Sequence, residues 1–105
     1  MGFNMQKLMK QAQKMQTDVA RVQEELKDKQ VEGQAGGGVV RVTANGAQEI
    51  VSIFIDPEVI DPADKEMLED LVLAAVREAL AAAREVAAQE MGRVTGGMGL
   101  PGGMF

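Results

Sequence analysis

Apolar residues near the start of the chain recur at alternating spacings of three and four. The pattern begins at Met5, ends at Leu26 and fails at Lys29, where the next apolar residue would fall. This spacing places one apolar stripe along an α-helix and is typical of a helix that packs lengthwise on another helix. We call this stripe the heptad seam: Met5, Leu8, Ala12, Met15, Val19, Val22 and Leu26. It predicts a first helix that ends near Gln30 and pairs with a second helix.

After this helix the pattern changes to that of a β-sheet. β-Branched residues become frequent, and the Asn45-Gly46 pair tolerates the positive φ angles of a type I′ hairpin turn. With Ala44 opposite Ala47 across that turn, Val40 would pair with Val51. A further strand over residues 31–35 gives three antiparallel strands in all.

The glycine run GGG at residues 36–38 joins the first two predicted strands. No Gly-Lys-Ser/Thr follows it, and it leads into a strand, so it predicts a backbone turn and not a phosphate-binding loop. The last strand, IVSIFI at residues 50–55, is apolar on both faces. One face can pack on the chain's own helices, and the other predicts a partner subunit. The candidate dimer-interface residues are Ile50, Ile53, Phe54 and Ile55.

The second helix has a clear start. Asp61 is a good N-cap and Pro62 fits the first helical position, where its missing N–H costs nothing. Apolar residues then recur to about Met91, and the small residues of ALAAAREVAA would let another helix approach closely. These features predict one α-β-β-β-α domain over residues 1–91 and a flexible tail rich in glycine and methionine over residues 92–105.

Helix length predicts the shape of the molecule. Two helices of nearly thirty residues would each be roughly 45 Å long, whereas a compact domain of this size has a radius of gyration of roughly 13 Å. The predicted fold is therefore α+β, with the two long helices projecting from a three-stranded antiparallel sheet as an antiparallel arm. Residues 1–17 and the end of the second helix would both lie at its tip.

Charge is unevenly distributed along this arm. The chain has a net charge of -5, yet its first basic residues, Lys7, Lys10 and Lys14, precede any acidic residue. Together with Arg21 they lie off the heptad seam, and they are the candidate residues for contact with a polyanion; Arg41 and Arg93 are the next candidates. A solvated helix face would also explain the lysines, but such a face usually interleaves both signs. A helix N-terminus also favours phosphate.

Composition excludes several classes of function. The chain has no cysteine and no histidine, which removes thiolate chemistry, disulfides and the commonest general base and metal ligand. Phenylalanine, present three times, is the only aromatic residue type, which is few for stacking single-stranded bases. No apolar run reaches eighteen residues, so no transmembrane helix is predicted. We predict a protein that is not an enzyme and has no cofactor, catalytic residue or metal site.

Several motifs occur in a characteristic order: MKQAQKMQ, GGGVVRVTANG, IDPE, KEMLEDLVLAA and GGMGLPGGMF. With them the whole chain resembles the YbaB/EbfC family of bacterial nucleoid-associated proteins. The resemblance implies a helix–strand–strand–strand–helix protomer and a homodimer shaped like tweezers. It also implies a protein of the cytoplasm and nucleoid that binds double-stranded DNA and alters its conformation, with roles in nucleoid organisation and gene regulation.

Two hypotheses remain open from the sequence. In the first, a dimer holds two helix tips apart and clamps the DNA backbone. The candidate DNA-binding residues on each tip are Lys7, Lys10, Lys14 and Arg21. In the second, the chain is a scaffold that docks a protein of the replication or recombination machinery through its heptad seam and its Met/Phe tail. Phosphate contacts weaken steeply as the salt concentration rises, whereas an apolar docking surface responds little. Salt dependence therefore separates the two.

Overall fold

The structure, a computed structural model, describes residues 4–97 and has the predicted order of elements. Its helices and strands are α1 (Met5–Leu26), β1 (Gln30–Ala35), β2 (Val40–Asn45), β3 (Ile50–Ile55) and α2 (Lys65–Gly97). The three strands form one antiparallel sheet in the order β1-β2-β3. The predicted α+β protomer, a helix, three antiparallel strands and a long second helix, is therefore confirmed.

The core lies between α2 and one face of β1 and β2. Every second residue of β2 points to this face, and Val40, Val42 and Ala44 are fully buried. They pack against a row of alanines on α2: Ala75, Ala79 and Ala83. This alanine row on α2 therefore receives the sheet, where the sequence led us to expect another helix.

Strand β3 is the edge that α2 does not cover. Ile53 pairs with the fully buried Val42, yet 47% of its own surface is exposed. Phe54 on the opposite face of the sheet is exposed to a similar extent, 46%. The strand therefore presents apolar side chains on both faces, as the sequence predicted.

The predicted register of β2 and β3 is wrong. Ala44 pairs with Ile50 and Val40 with Ile55. The connection is longer than a two-residue turn, and the positive φ angle falls on Gln48, at 64°, instead of on Asn45 or Gly46. The ladder also shifts by one residue between Thr43 and Ala44.

The two other turns follow the sequence more closely. All glycines of the GGG run have positive φ angles, 63°, 73° and 96°, so the run is a backbone turn as predicted. Asp61 accepts a hydrogen bond from the Ala63 backbone at 2.9 Å and caps a short 3-10 turn that begins at Pro62. This turn leads directly into α2.

Both helices end at other residues than predicted. Helix α1 stops at Leu26, and β1 already begins at Gln30. Helix α2 continues past Met91 to Gly97, so the first residues of the predicted tail are helical. Residues 98–105 of that tail lie outside the described residues.

The heptad seam does not pack along α2. Only Val22 and Leu26 of α1 are buried, whereas 60% of Met5 and 46% of Leu8 are exposed. The prediction that the first helix pairs lengthwise with the second is therefore wrong for the N-terminal half of α1. Most of the seam has no partner within the described part of the chain.

The molecule is elongated. Its extents are 76 × 26 × 16 Å and its radius of gyration is 20.2 Å, well above the roughly 13 Å of a compact domain of this size. Helix α1 runs toward the sheet and α2 runs away from it, so the two helices are antiparallel where they meet. The predicted projecting arm is present. None of the helices among residues 4–97 is both long enough and apolar enough to span a membrane.

Candidate nucleic-acid interface

The N-terminal half of α1 is a free helical tip. Asn4 caps the helix, and its side chain accepts a hydrogen bond from the Lys7 backbone at 3.2 Å. Every residue from Asn4 to Lys14 is exposed. We call residues 4–14 the basic tip, because the charged side chains in this range are all lysines.

The lysines of the basic tip form no ion pair within the described part of the chain, although Lys14 shares a cleft with the carboxylates of Asp18, Glu25 and Glu90. Among residues 4–97, no acidic side chain forms an ion pair with Lys7, Lys10 or Lys14. Spacings of three and four residues place them along one side of the helix. Three lysines on a projecting helix can therefore contact an anionic partner without first breaking an ion pair within the protein.

Arg21 differs from the lysines. Its guanidinium lies 3.4 Å from the Asp18 carboxylate and 3.7 Å from that of Glu25. These pairs are exposed and individually weak, but they neutralise much of the charge that Arg21 could offer to a phosphate. The structure therefore places Arg21 on the same helix as the lysines but outside the unpaired group.

A charged cleft separates α1 from the end of α2. Lys14 and Arg21 line it from α1, and Arg93 lines it from α2. Sequence reasoning named Arg93 only as a secondary candidate, although it placed the end of the second helix at the same tip as residues 1–17. The predicted antiparallel arrangement of the two helices could have identified Arg93 as a site residue, because it brings the end of α2 toward the beginning of α1.

Glu90 organises the α2 side of this cleft. Its carboxylate accepts a hydrogen bond from Lys29 Nζ at 2.7 Å and lies 3.5 Å from Arg93. The Lys29 hydrogen bond lowers the pKa of Glu90 below its usual value of 4.5; burial acts in the opposite direction, and the positive charges of Arg93 and Lys29 lower the pKa further. Arg93 is thus partly neutralised, as Arg21 is.

Arg41 lies far from the basic tip, on the open face of the sheet. Its guanidinium is 4.5 Å from the centre of the Phe54 ring, a cation–π contact across two paired strands. This stacking covers part of an otherwise exposed aromatic ring. The structure does not bring Arg41 together with any of the lysines.

The candidate dimer-interface residues lie together on β3. Ile50, Ile53 and Phe54 are between 41% and 47% exposed, and Ile55 is partly buried against the core. Beside them, the partly covered residues Leu68, Val72 and Val76 form an apolar groove on α2 together with the exposed Leu73. Apolar edge strands are ready to pair with another chain.

The acidic residues before α2 serve local structure. Asp56 accepts a hydrogen bond from the Glu58 backbone at 2.9 Å, and Asp64 accepts one from the Met67 backbone at 3.3 Å. These are capping contacts at turns and at the start of a helix. No cluster of acidic side chains in residues 4–97 is arranged to hold a metal ion.

Comparison with known proteins identifies the family. The family model described as the YbaB/EbfC DNA-binding family matches residues 1–98. The chain belongs to the YbaB/EbfC DNA-binding family. This confirms the resemblance seen in the ordered sequence motifs. It also agrees with the prediction that the protein is not an enzyme, because this family is a DNA-binding and not a catalytic one.

Relatives support this assignment, and a solved structure shares the fold. A protein of Pelotomaculum thermopropionicum is 60% identical over 102 residues, which are 97% of each chain. One from Moorella thermoacetica is 61% identical over 99 residues, 94% of this chain and 95% of the relative. Both are named nucleoid-associated protein. The crystal structure of an uncharacterized Helicobacter pylori protein has the same fold, with a TM-score of 0.79 and 23% identity over 90% of this chain and 99% of that one.

Proposed function

We propose that this YbaB/EbfC protein binds double-stranded DNA as a homodimer, mainly through the phosphate backbone, and alters the conformation of the DNA. The observation that carries the proposal is the basic tip. It offers exposed lysines without ion pairs, at the end of a projecting helix, in a chain whose net charge is -5. Lysines placed in this way are best suited to contact the phosphates of DNA.

Backbone contact is favoured over base reading by the polar residues of the tip. Asn4 already uses its side chain to cap α1. Gln6, Gln11 and Gln13 remain exposed, but a helix that reads bases needs several side chains matched to base edges. We therefore expect weak sequence preference, or a preference for DNA shape.

A homodimer supplies the second basic tip. The apolar edge strand β3 and the apolar groove on α2 are uncovered in the single chain. A second copy that covers them would hold two projecting arms in one particle. Two arms with basic tips can contact two segments of backbone, and this arrangement lets binding bend or clamp the duplex.

The cellular role follows from this mode of binding and from the relatives. Proteins named nucleoid-associated protein cover nearly the whole of this chain. We propose that this protein acts on the nucleoid within the cytoplasm, in nucleoid organisation and gene regulation.

The test is the triple substitution of Lys7, Lys10 and Lys14 by glutamine. A dimer would lose up to about six phosphate contacts, for which the slope of log affinity against log salt is roughly -5. We expect the variant to bind all duplex sequences much more weakly and with a much shallower slope. Glutamine is a good helix former, so circular dichroism should show an intact α1. The measurement is an electrophoretic shift assay across a salt series.

The matched control replaces Lys65, Arg77 and Arg84 by glutamine. These exposed residues lie on α2, away from the basic tip, and their loss changes the net charge by the same amount. The control should keep most of the affinity and the wild-type slope. Equal losses in both variants would indicate that net charge, and not the basic tip, governs binding.

A second candidate function is favoured by the exposed part of the heptad seam. Ala12, Met15 and Val19 line an apolar groove on the side of α1 that α2 does not cover. Such a surface suits a scaffold that docks another protein, for which we propose a component of the replication or recombination machinery. The salt series separates this function from the first, because apolar docking would leave DNA binding by the triple-glutamine variant unchanged.

A further inference from the structure

Helix α1, the part of the arm that carries the basic tip, is joined to the sheet through the loop between β2 and β3. The Gly46 backbone N–H lies 2.9 Å from the Leu26 carbonyl and 2.9 Å from the Lys29 carbonyl, and donates to both. Leu26 is the last residue of α1. The Leu26 carbonyl also accepts a hydrogen bond from the Lys29 backbone N–H at 3.2 Å, so the loop adds a second donor to a carbonyl at the end of the helix.

Asn45 adds a side-chain link at the same place. It is the only buried polar residue among those described, at 5% exposure. Its Nδ2 group donates to the Lys27 carbonyl at 3.2 Å and to the Glu49 carboxylate at 2.8 Å. Its Oδ1 atom accepts hydrogen bonds from the backbones of Ala47 and Glu49, both at 3.0 Å. One side of the amide shapes the loop and the other side holds the end of α1.

Close packing fixes this contact. A Cβ atom at Gly46 would lie 2.6 Å from Leu26 Cδ2 and 2.9 Å from the Leu26 carbonyl oxygen, so only glycine fits. We call Asn45, Gly46 and the residues whose carbonyls they bond, Leu26, Lys27 and Lys29, the arm joint. Besides these hydrogen bonds, α1 is held mainly by the buried side chains of Val22 and Leu26 and by the Lys29–Glu90 ion pair.

A small rotation at the arm joint displaces the basic tip by a large distance. Lys7 lies nineteen residues before Leu26, or roughly 28 Å along the helix. A rotation of about 10° at the joint would therefore move Lys7 by roughly 5 Å, which is more than the reach of an ion pair. The direction of the arm decides whether the lysines meet phosphates.

We propose that Asn45 is a positioning residue for DNA binding, which contacts no DNA but holds the arm in the direction that the basic tip requires. The inference rests on the proposed function for its assignment of the lysines as the DNA contact. Without the amide link, α1 would sample other directions. The apparent affinity for DNA would then fall, because only the molecules whose α1 points in the binding-competent direction can bind.

The decisive variant combines Asn45→Asp with Glu49→Gln. An aspartate keeps the acceptor for the Ala47 and Glu49 backbones but cannot donate to the Lys27 carbonyl. Glu49→Gln removes the repulsion that two neighbouring carboxylates would create, and Glu49→Gln alone serves as its control. Asn45→Ala, which removes both sides of the amide, is the companion variant.

Arm direction can be measured without DNA. The chain contains no cysteine, so Gln11→Cys on α1 and Glu32→Cys on β1, both exposed, provide the only sites for spin labels. Labelled protein is diluted with unlabelled protein so that distances within one chain dominate. We expect the Asn45→Asp, Glu49→Gln variant and Asn45→Ala to broaden this distance distribution, and Glu49→Gln alone to leave it narrow. An unchanged distribution in the first two would overturn the proposal.

DNA affinity provides the second readout. One hydrogen bond commonly biases a two-state equilibrium about fivefold. Because apparent affinity follows the competent fraction, both broadened variants should bind DNA more weakly, by up to about fivefold for each hydrogen bond lost. The salt slope should stay as in the wild type, since the competent state makes the same phosphate contacts. Wild-type affinity in the Asn45→Asp, Glu49→Gln variant would mean that Asn45 only shapes the loop.

Two further comparisons separate this inference from the proposed function and from simple destabilisation. Val42→Ala weakens the core away from the joint and should leave affinity unchanged while the protein stays folded. In the triple-glutamine background, Asn45→Ala should have no further effect on affinity, because coupled sites are not additive. Additive losses would show that the joint does not act through the lysines. Wild-type affinity in the triple-glutamine variant would instead refute the proposed function, while the distance measurement would still decide the role of the joint.

Discussion

Gly33 lies where strand β1 crosses α2 so closely that the two backbones touch. A Cβ atom at this position would be 2.9 Å from Ala79 Cα and would overlap the Ala79 nitrogen and the Ala75 carbonyl oxygen as well. None of these atoms can move without displacing α2. The row of alanines on α2 and the glycine on β1 therefore form one tight contact that seats the sheet on the helix.

We predict that Gly33→Ala destabilises the protein by roughly 2–3 kcal/mol, the upper part of the range for overpacked cores. The melting temperature should fall by about 10 °C or more. Gly92→Ala is the matched control, because a Cβ there meets nothing within 4 Å and alanine favours a helix by up to about 1 kcal/mol. Thermal unfolding followed by circular dichroism measures both. A Gly33→Ala protein that melts with the wild type would show that α2 can shift at little cost.

Asn45 and Gly46 illustrate what a local sequence pattern can reveal. The pair correctly indicated a hairpin between two strands. It did not reveal that Gly46 is needed by the close approach of Leu26, or that the Asn45 amide reaches the end of α1. Those reasons are contacts between residues distant in the sequence. The turn type and the register were predicted wrongly because the Asn45-Gly46 pair was explained by a local turn, whereas contacts with the end of α1 require these residues.

At the scale of elements, α1 and α2 are tied together by Glu90. Lys29, just after α1, and Arg93 on α2 both place positive charge beside its carboxylate, and these contacts lower the pKa of Glu90. A carboxyl whose pKa is lower in the folded state stabilises the fold above its unfolded pKa. That contribution is lost as the pH falls through the lowered value, that is, below about 4.5.

We predict that Glu90→Gln lowers the free energy of unfolding at neutral pH and that this difference disappears in acid, below the lowered pKa of Glu90. Urea unfolding of the wild type and the variant at several pH values measures the difference, and other carboxyls cancel in it. Glu85→Gln is the control, because Glu85 is exposed and has no ion pair among residues 4–97. A Glu90→Gln effect of equal size at pH 7 and pH 3 would contradict an ionic origin.

The elements themselves were largely predictable, whereas their partners were not. Apolar periodicity and the Asp61-Pro62 start gave the order and type of every helix and strand, because these signals are local. The heptad seam correctly predicted a helix, but the prediction that the second helix packs along the whole seam was wrong. Helix α2 instead approaches α1 from the side of Asp18 and Arg21. For the candidate site, the lysines could be named from charge order alone. Their freedom from ion pairs, and the neutralisation of Arg21, needed the structure.

The whole molecule separates its charges and leaves its apolar surfaces open. Residues 1–30 carry six basic and four acidic side chains, whereas residues 56–91 carry three basic and ten acidic ones. The basic end projects from a particle 76 Å long, while the apolar edge strand lies at the sheet. An acidic body repels DNA and a basic tip attracts it, so the proposed DNA contact would be restricted to the ends of the arms. Dimerisation through the sheet would keep both tips free.

The last prediction tests this assembly through β3. If the apolar edge is covered by a second copy, the unfolding midpoint of the wild type should rise by a few degrees with each tenfold increase in protein concentration, as mass action requires. Ile53→Lys places a charge on that edge and should give a monomer by sedimentation at micromolar concentration, with a weakened DNA complex. Gln34→Lys adds the same charge to the exposed, polar edge strand β1 and should remain dimeric. A wild-type protein that sediments as a monomer, with a midpoint independent of concentration, would leave each particle with a single basic tip and exclude a clamp made of two arms.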